Sequence, residues 1–281
     1  MQVFKIHCQY SDINSAVVVP ERSGMAYTQR KQEIIHLLKE SDQALSIDML
    51  RDRIYASRST IRRDLIQMEN EGLIVRHFGA VLLTPPSSKE NTAAYRGLEN
   101  TEKKTVIAKA AAHLIHDNMV LFLDSSSTVS YLVQYLTAHE NITVITNGMD
   151  IGQRLNSAPG VTCFMSSGLV KRNSNSIIGD FACGFIDNFR ADLAILSCKA
   201  ISPSGLFEGD DSQAMIKRHM MQHAAKTVVL CDSTKEERQG FILLSSFSHI
   251  HILISDNSFS EDITKAIRES GCELLTGTEP D

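Results

Sequence analysis

The chain has 281 residues, 43% of them apolar and 22% charged, and a formal net charge of −5. That length suits two domains rather than one, and that composition suits an ordinary packed core. The acidic balance excludes a uniformly basic nucleic-acid binder, but not one whose cations are gathered on a single face.

Residues 1–24 show neither helical nor strand period. Met25-Ala26-Tyr27-Thr28 opens straight into a helical pattern, as a natural start would. Residues 1–24 are therefore expected to be a disordered extension or the product of an over-called start codon. Asp12 and Asn14 interrupt any signal-peptide core there, and no apolar run reaches membrane-spanning length, so a cytoplasmic protein with no membrane partner is expected.

Residues 25–83 read as helix, helix, helix, hairpin. Ile34, Leu37 and Leu38 give the first helix a buried stripe. Ser46 is placed to cap the second helix, with Ile47, Leu50 and Ile54 on one face. After the turn Tyr55-Ala56, Ser57 is placed to cap the third, whose stripe is Ile61, Leu65 and Met68. Ser59, Arg63 and Asn70 then point away from that stripe, with Arg62 on its flank. Beyond Gly72, short apolar runs on either side of His77-Phe78-Gly79 make a wing, with Arg76 and His77 near its tip. Three helices with a tight turn and a wing dock on DNA by laying the third helix in the major groove. The expected contacts are Ser57, Arg58, Ser59, Thr60, Arg62, Arg63, Arg76 and His77, on a helix-turn-helix from about Ser46 to Leu65. Arginine pairs with guanine or clamps phosphate. A small helical bundle with solvated arginines is the plainer alternative; the wing and the arginine placement favour DNA.

Residues 84–101, rich in Pro, Ser, Thr and Asn, read as a linker. From 102 to 281 strands and helices alternate, which predicts a mostly parallel sheet. Strands at 119–123, 142–145, 161–165, 193–196, 227–230 and 251–254 each end in small polar residues: Asp124-Ser125-Ser126-Ser127-Thr128, Thr146-Asn147-Gly148, Ser166-Ser167-Gly168, Ser197-Cys198-Lys199, Asp232-Ser233-Thr234-Lys235 and Ser255-Asp256. In a parallel sheet these ends converge on one edge. The serine loop, between a strand and a helix start, is the best phosphate cradle. Lys235 would supply charge and Asp124 would accept sugar hydroxyls. N-capping and turn formation explain any one such loop, but not several on one edge.

Two sets of runs carry a family resemblance. Ser59-Thr60-Ile61-Arg62-Arg63-Asp64-Leu65 followed by Met68-Glu69-Asn70-Glu71-Gly72-Leu73-Ile74-Val75-Arg76 resembles the signature of the DeoR family of sugar-metabolism repressors. Met68 stands where the family has Leu, and His77-Phe78-Gly79-Ala80 where it has H-G-G-A. The second half resembles the family's sensor domain in Glu102-Lys103-Lys104, Phe122 to Thr128, Val144 to Asn147, Ser176 to Gly179 and Asp232 to Lys235. Ser126 replaces a usual glycine in D-S-G-T-T, and Ser167 another.

The resemblance implies a winged helix-turn-helix joined to an α/β sensor like that of ribose-5-phosphate isomerase. It also implies a repressor of a carbohydrate operon gated by a phosphorylated sugar. Its partner would be double-stranded operator DNA, and the protein a homodimer or homotetramer. The effector site would be Lys104, Asp124, Ser125, Ser126, Ser127, Thr128, Thr146, Asn147 and Lys235.

An isomerase fused to a DNA-binding head is the alternative. The chain lacks the DGADE-like carboxylates and the KGGG-like lysine loop of those enzymes, so no catalytic residue is expected. The six cysteines form no CxxC pair and no zinc spacing, so no metal or cofactor is expected, only buried reduced thiols.

Overall fold

The computed structural model describes residues 26–41, 45–77, 80–83, 93–172 and 174–277. The expected N-terminal extension, the wing tip Phe78-Gly79 and residues 84–92 of the expected linker lie outside the described residues. The chain divides into two compact units, the first comprising the chain to Asn70 and Ile74–Leu83, the second Glu71–Leu73 and the chain from Thr84 onward.

In the first unit, α1 (Tyr27–Glu40), β1 (Leu45–Ser46), α2 (Ile47–Ile54), α3 (Arg58–Asn70), β2 (Ile74–His77) and β3 (Ala80–Leu83) follow the order expected. Ile34, Ile35, Leu38, Leu50, Ile54, Ile61, Leu65 and Met68 are buried. On α1 the stripe is therefore Ile34, Ile35 and Leu38. Leu37 is only half-buried, because it sits at the flank of that face. Ser46 caps α2 by accepting the Met49 N–H at 3.2 Å. Tyr55 closes α2 in the left-handed region, at φ 55°. Gly72, at φ 71°, turns the chain from α3 into the wing, a conformation that glycine adopts without Cβ strain. The wing strands pair antiparallel from Ile74↔Leu83 to His77↔Ala80, and β1 adds to β3 through Leu45↔Val81.

The second unit begins with α4 (Ala93–Leu98) and α5 (Thr101–Ala112). The end of the expected linker is thus helical and belongs to this unit. Its polar composition concealed the helix. There follow β4 (Val120–Leu123), α6 (Val133–Leu136), β5 (Ile142–Thr146), α7 (Met149–Leu155), β6 (Val161–Met165), β7 (Leu169–Lys171), β8 (Ser176–Ile178) and α8 (Asp180–Ile186). The chain continues through β9 (Ala191–Ser197), β10 (Ala200–Ser202), β11 (Gly205–Glu208), α9 (Asp211–Gln222), β12 (Ala224–Leu230) and β13 (Ile242–Ser245). It ends with β14 (Ile252–Ser255), α10 (Glu261–Glu269) and β15 (Glu273–Thr276).

Seven strands form one sheet in the order β15-β14-β12-β9-β4-β5-β6, parallel throughout. Parallel strands are covered on both faces, so their residues alternate between two apolar layers. Leu121, Leu123, Leu193 and Ile195 pack with α5, α6 and α7. Phe122, Ala194 and Leu196, one residue out of phase, pack with α8 and α9. Val229 and Leu253 join α10 in a third cluster. The mostly parallel α/β architecture is as expected, with two additions. Beyond the strand at 251–254 the chain adds α10 and β15. Two small antiparallel pieces, β7 with β8 and β10-β11-β13, sit outside the main sheet. Their strands, of three or four residues each, are too short to carry a strand period.

Candidate DNA-binding face and effector cleft

The face of α3 is set by its cap. The Ser57 hydroxyl accepts the Thr60 N–H at 3.1 Å and lies within 2.9 Å of the Ser59 and 2.8 Å of the Thr60 hydroxyl. Ser57, Arg58, Ser59, Arg62 and Arg63 are exposed, and Thr60 is half-buried. Arg58 reaches Asp48 at 3.6 Å. Among the described residues Arg62 and Arg63 make no ion pair, so their guanidinium groups are left to solvent.

Arg76 is engaged within the first unit. Its Nε donates to Glu69 at 2.8 Å and its backbone N–H to the same carboxylate at 3.2 Å, so its charge is used to tie β2 to α3. The Arg76 hydrogen bond also holds the Glu69 carboxyl below its ordinary range. His77 lies in β2, and its side chain lies outside the described residues.

Asp64 has a structural role that sequence reasoning missed. It is buried on the inner side of α3 and takes two hydrogen bonds from Arg30 of α1, at 2.6 and 3.1 Å. A lone acid inside an apolar stripe, at Ile61-Asp64-Leu65, was the available signal, because a carboxylate in that position requires a cation.

In the second unit a half-open cleft of about 650 Å³ lies at the carboxyl ends of β4, β9 and β12. Of the expected effector residues, Lys104, Ser125, Ser126, Ser127, Thr128 and Lys235 line it. Asp124 shapes its floor. One carboxylate oxygen accepts the Ser126 N–H at 2.9 Å, which curls the serine loop. The other accepts the Ser197 N–H at 2.9 Å and pairs with Lys217 at 2.9 Å. With both oxygens engaged and the residue fully buried, Asp124 has no free face for a sugar hydroxyl.

Thr146 and Asn147 also stand behind the lining. The Thr146 hydroxyl donates to Leu123 O at 2.7 Å and accepts the Gly148 N–H at 2.9 Å. Asn147 donates to Ile177 O at 3.0 Å. Gly148 passes so close to the loop that a Cβ there would sit 3.0 Å from the Ser125 Cα.

The cations of the cleft fall into two kinds. Lys217, from α9, is enclosed by Asp124, Glu208 and Ser197 O, the last at 2.7 Å. Burial opposes its charge, but the two carboxylates outweigh burial and raise its pKa. Lys235 donates to the Ser197 hydroxyl at 2.6 Å and lies 3.8 Å from Asp232. Lys104 is different. It is 4% exposed and donates to Arg96 O and, at 3.3 Å, to the Ser127 hydroxyl. Burial, and then the like charge of Lys235, lower its pKa to about 7.

Arg96, Asn100, Gln213 and Arg238 also line the cleft, together with the acids Glu99, Glu208 and Asp232. Arg96 and Asn100 fell in the expected linker, and Arg238 follows a 3-10 turn rather than a strand. Gln213 and Lys217, four apart on α9 and both buried, were the one legible pair missed: two long polar residues on an apolar helix face require a polar cavity to point into. Among the described residues no cluster of His, Cys, Asp and Glu is arranged to hold a metal, and no helix is long and apolar enough to cross a membrane.

A family model for the DeoR-like helix-turn-helix domain matches residues 30–85, and one for the DeoR C-terminal sensor domain matches residues 99–257. The chain belongs to the DeoR family. This DeoR-family chain is therefore a DNA-binding transcriptional regulator rather than an enzyme. It is 30% identical to the HTH-type transcriptional regulator GolR of Listeria innocua, over 86% of this chain and 96% of that protein. It is 30% identical to the glycerol-3-phosphate regulon repressor of Escherichia coli, over 83% and 92% of the two chains. With the HTH-type transcriptional repressor GlcR of Bacillus subtilis it shares 28% identity, over 92% and 98%. A solved D-ribose-5-phosphate isomerase in complex with phospho-erythronic acid aligns with 48% of this chain and 53% of its own. Its TM-score is 0.37 and its identity 18%, too loose a likeness to say anything of the cleft.

Proposed function

We propose that this regulator represses a carbohydrate-metabolism operon and that a phosphorylated sugar, bound in the cleft of the second unit, sets its affinity for the operator. The observation that carries the effector reading is Lys104. It is a buried lysine held half-neutral, beside Lys235 and the Ser125-Ser126-Ser127 loop, with no carboxylate in direct contact. A phosphate dianion restores its proton and relieves its repulsion with Lys235. The three serine hydroxyls suit phosphate oxygens, and Gln213, whose side-chain oxygen lies 3.5 Å from the Ser125 hydroxyl, suits a sugar hydroxyl beside them. The names of the relatives favour the same substrate class, since one governs a glycerol-3-phosphate regulon.

In this reading Ser57, Arg58, Ser59, Thr60, Arg62 and Arg63 meet the duplex, the two unpaired arginines supplying most of the attraction. Arg76 holds the wing, and His77 approaches the backbone. The effector acts by binding one arrangement of the protein more tightly than another. The protein works in the cytoplasm as a homodimer or homotetramer, which matches palindromic operators.

Thermal-shift screening of triose, pentose and hexose phosphates against their unphosphorylated parents checks the effector half. At least one phosphate is expected to raise the melting temperature while its parent sugar does not. If parent and phosphate act alike, the cleft does not recognise phosphate.

A further inference from the structure

Cys198 and Cys231 are 33 positions apart in sequence, yet their sulfurs lie 3.6 Å from each other. The sheet explains this. Each is the first residue past one of two neighbouring parallel strands, and those strands end in register at Ser197↔Leu230. Side chains at matched positions of parallel neighbours point the same way, so both thiols stand on one side of the sheet edge. Cys198 is 6% exposed and lines the cleft, whereas Cys231 is fully buried beneath it. Only a modest approach separates the present contact from a disulfide bond of about 2.05 Å.

We propose that Cys198 and Cys231 are a redox-modification site, closing into a reversible disulfide when the regulator meets hydrogen peroxide. Cys198 is the thiol that reacts first, because it faces the cleft and Cys231 does not. Its sulfur attacks one peroxide oxygen, the O–O bond breaks, and the leaving oxygen takes up a proton and departs as water. Cys198 is left as a sulfenic acid. The Cys231 sulfur then displaces the hydroxyl from Cys198, its own proton leaves with that hydroxyl as a second water, and the S–S bond forms. In total the two thiols lose two electrons and two protons, and the peroxide is reduced to two waters.

The ionisation of the pair suits this order. When Cys198 is a thiolate the Cys231 S–H donates to it, and Lys235 lies nearby, so the Cys198 pKa falls below the ordinary thiol value. Burial, and then the contact with Cys198, drive the Cys231 pKa well up, which keeps it protonated as the donor. The contrast with Cys163, Cys183 and Cys272 is one of direction: burial raises the pKa of all three.

The disulfide stands on the thiols alone, whereas protection by an anion rests on the effector reading of the cleft, so the two fail separately. Reduced full-length protein is treated with hydrogen peroxide, quenched with N-ethylmaleimide, digested and analysed by mass spectrometry. A peptide joining Cys198 to Cys231 is expected, vanishing on dithiothreitol treatment. In Cys231→Ser, dimedone is expected to label Cys198. Wild-type protein in which Cys198 is oxidised, or left unreacted, without a linked peptide overturns the proposal; that arm needs no variant to fold. Inorganic phosphate at about ten times its Kd is expected to slow linking by about tenfold, since it covers the sulfur. A linked peptide forming at an unchanged rate leaves the disulfide standing and counts against anion binding in the cleft.

Discussion

Both units of this regulator rely on arginine and lysine, but they hold them in opposite surroundings. On α3, Arg62 and Arg63 are exposed and make no ion pair among the described residues. In the cleft, Lys104, Lys217 and Lys235 are each under a tenth exposed. Exposed cations act over a distance set by ionic strength, and attract a polyanion by releasing its counterions. Buried cations pay desolvation, shift in pKa, and act only on a group that fits. The same two residue types therefore make a salt-sensitive surface in one unit and a pH-sensitive pocket in the other.

Breaking the buried side of this comparison is expected to have the largest effect. Lys217→Met leaves Asp124 and Glu208 buried without their cation, and loss of one partner of such a group costs about 3–5 kcal/mol. Denaturant unfolding of the C-terminal unit is the check, and a midpoint near wild type would show that the carboxylates find other partners. Next, Arg62→Ala with Arg63→Ala is expected to weaken operator binding by one to two orders of magnitude without altering stability. The slope of log affinity against log salt should shrink by about 1.8 if both arginines reach phosphates.

Asp64→Asn keeps the shape of the first unit but removes a charged partner of Arg30. A loss of about 1.5–3 kcal/mol is expected, seen in the melting of the head. The pH arm sharpens the contrast. Lys104 titrates near 7 when folded, against 10.5 for an ordinary lysine. Between those values the unfolded chain binds more protons, so its contribution to stability grows as pH rises through that window. Anion affinity runs the other way: sulfate, whose charge is fixed, should bind progressively less tightly above about pH 7 as Lys104 loses its proton. Calorimetry across that range would reveal it, and Lys104→Met should flatten the dependence. The smallest effect is expected for Arg76→Ala. Its pair with Glu69 is about a third exposed, so stability should fall only slightly.

The same physical contrast decided what the sequence made legible. The head was readable because its helices alternate apolar and polar faces at fixed period, and its cap and turn residues are local. The main sheet was readable from apolar runs ending in polar loops, and the serine loop and Lys235 fell where those ends converge. The pairing of Asp124 with Ser197 N and Lys217 was not legible, because only the fold brings them to it. Arg96 and Asn100 were hidden in a stretch whose composition resembles a linker. Glu208, on a four-residue antiparallel strand, and the meeting of Cys198 with Cys231 depend on strand order, which no local pattern encodes.

The most direct test is fluorescence anisotropy of an operator, selected from random duplexes, titrated with protein in the presence of single phosphosugars. At least one phosphosugar should change operator affinity by tenfold or more, its unphosphorylated parent should not, and Lys104→Met should abolish the response while still binding DNA. If no phosphosugar alters the affinity, or if the Lys104 variant responds as wild type does, the cleft is not the sensor.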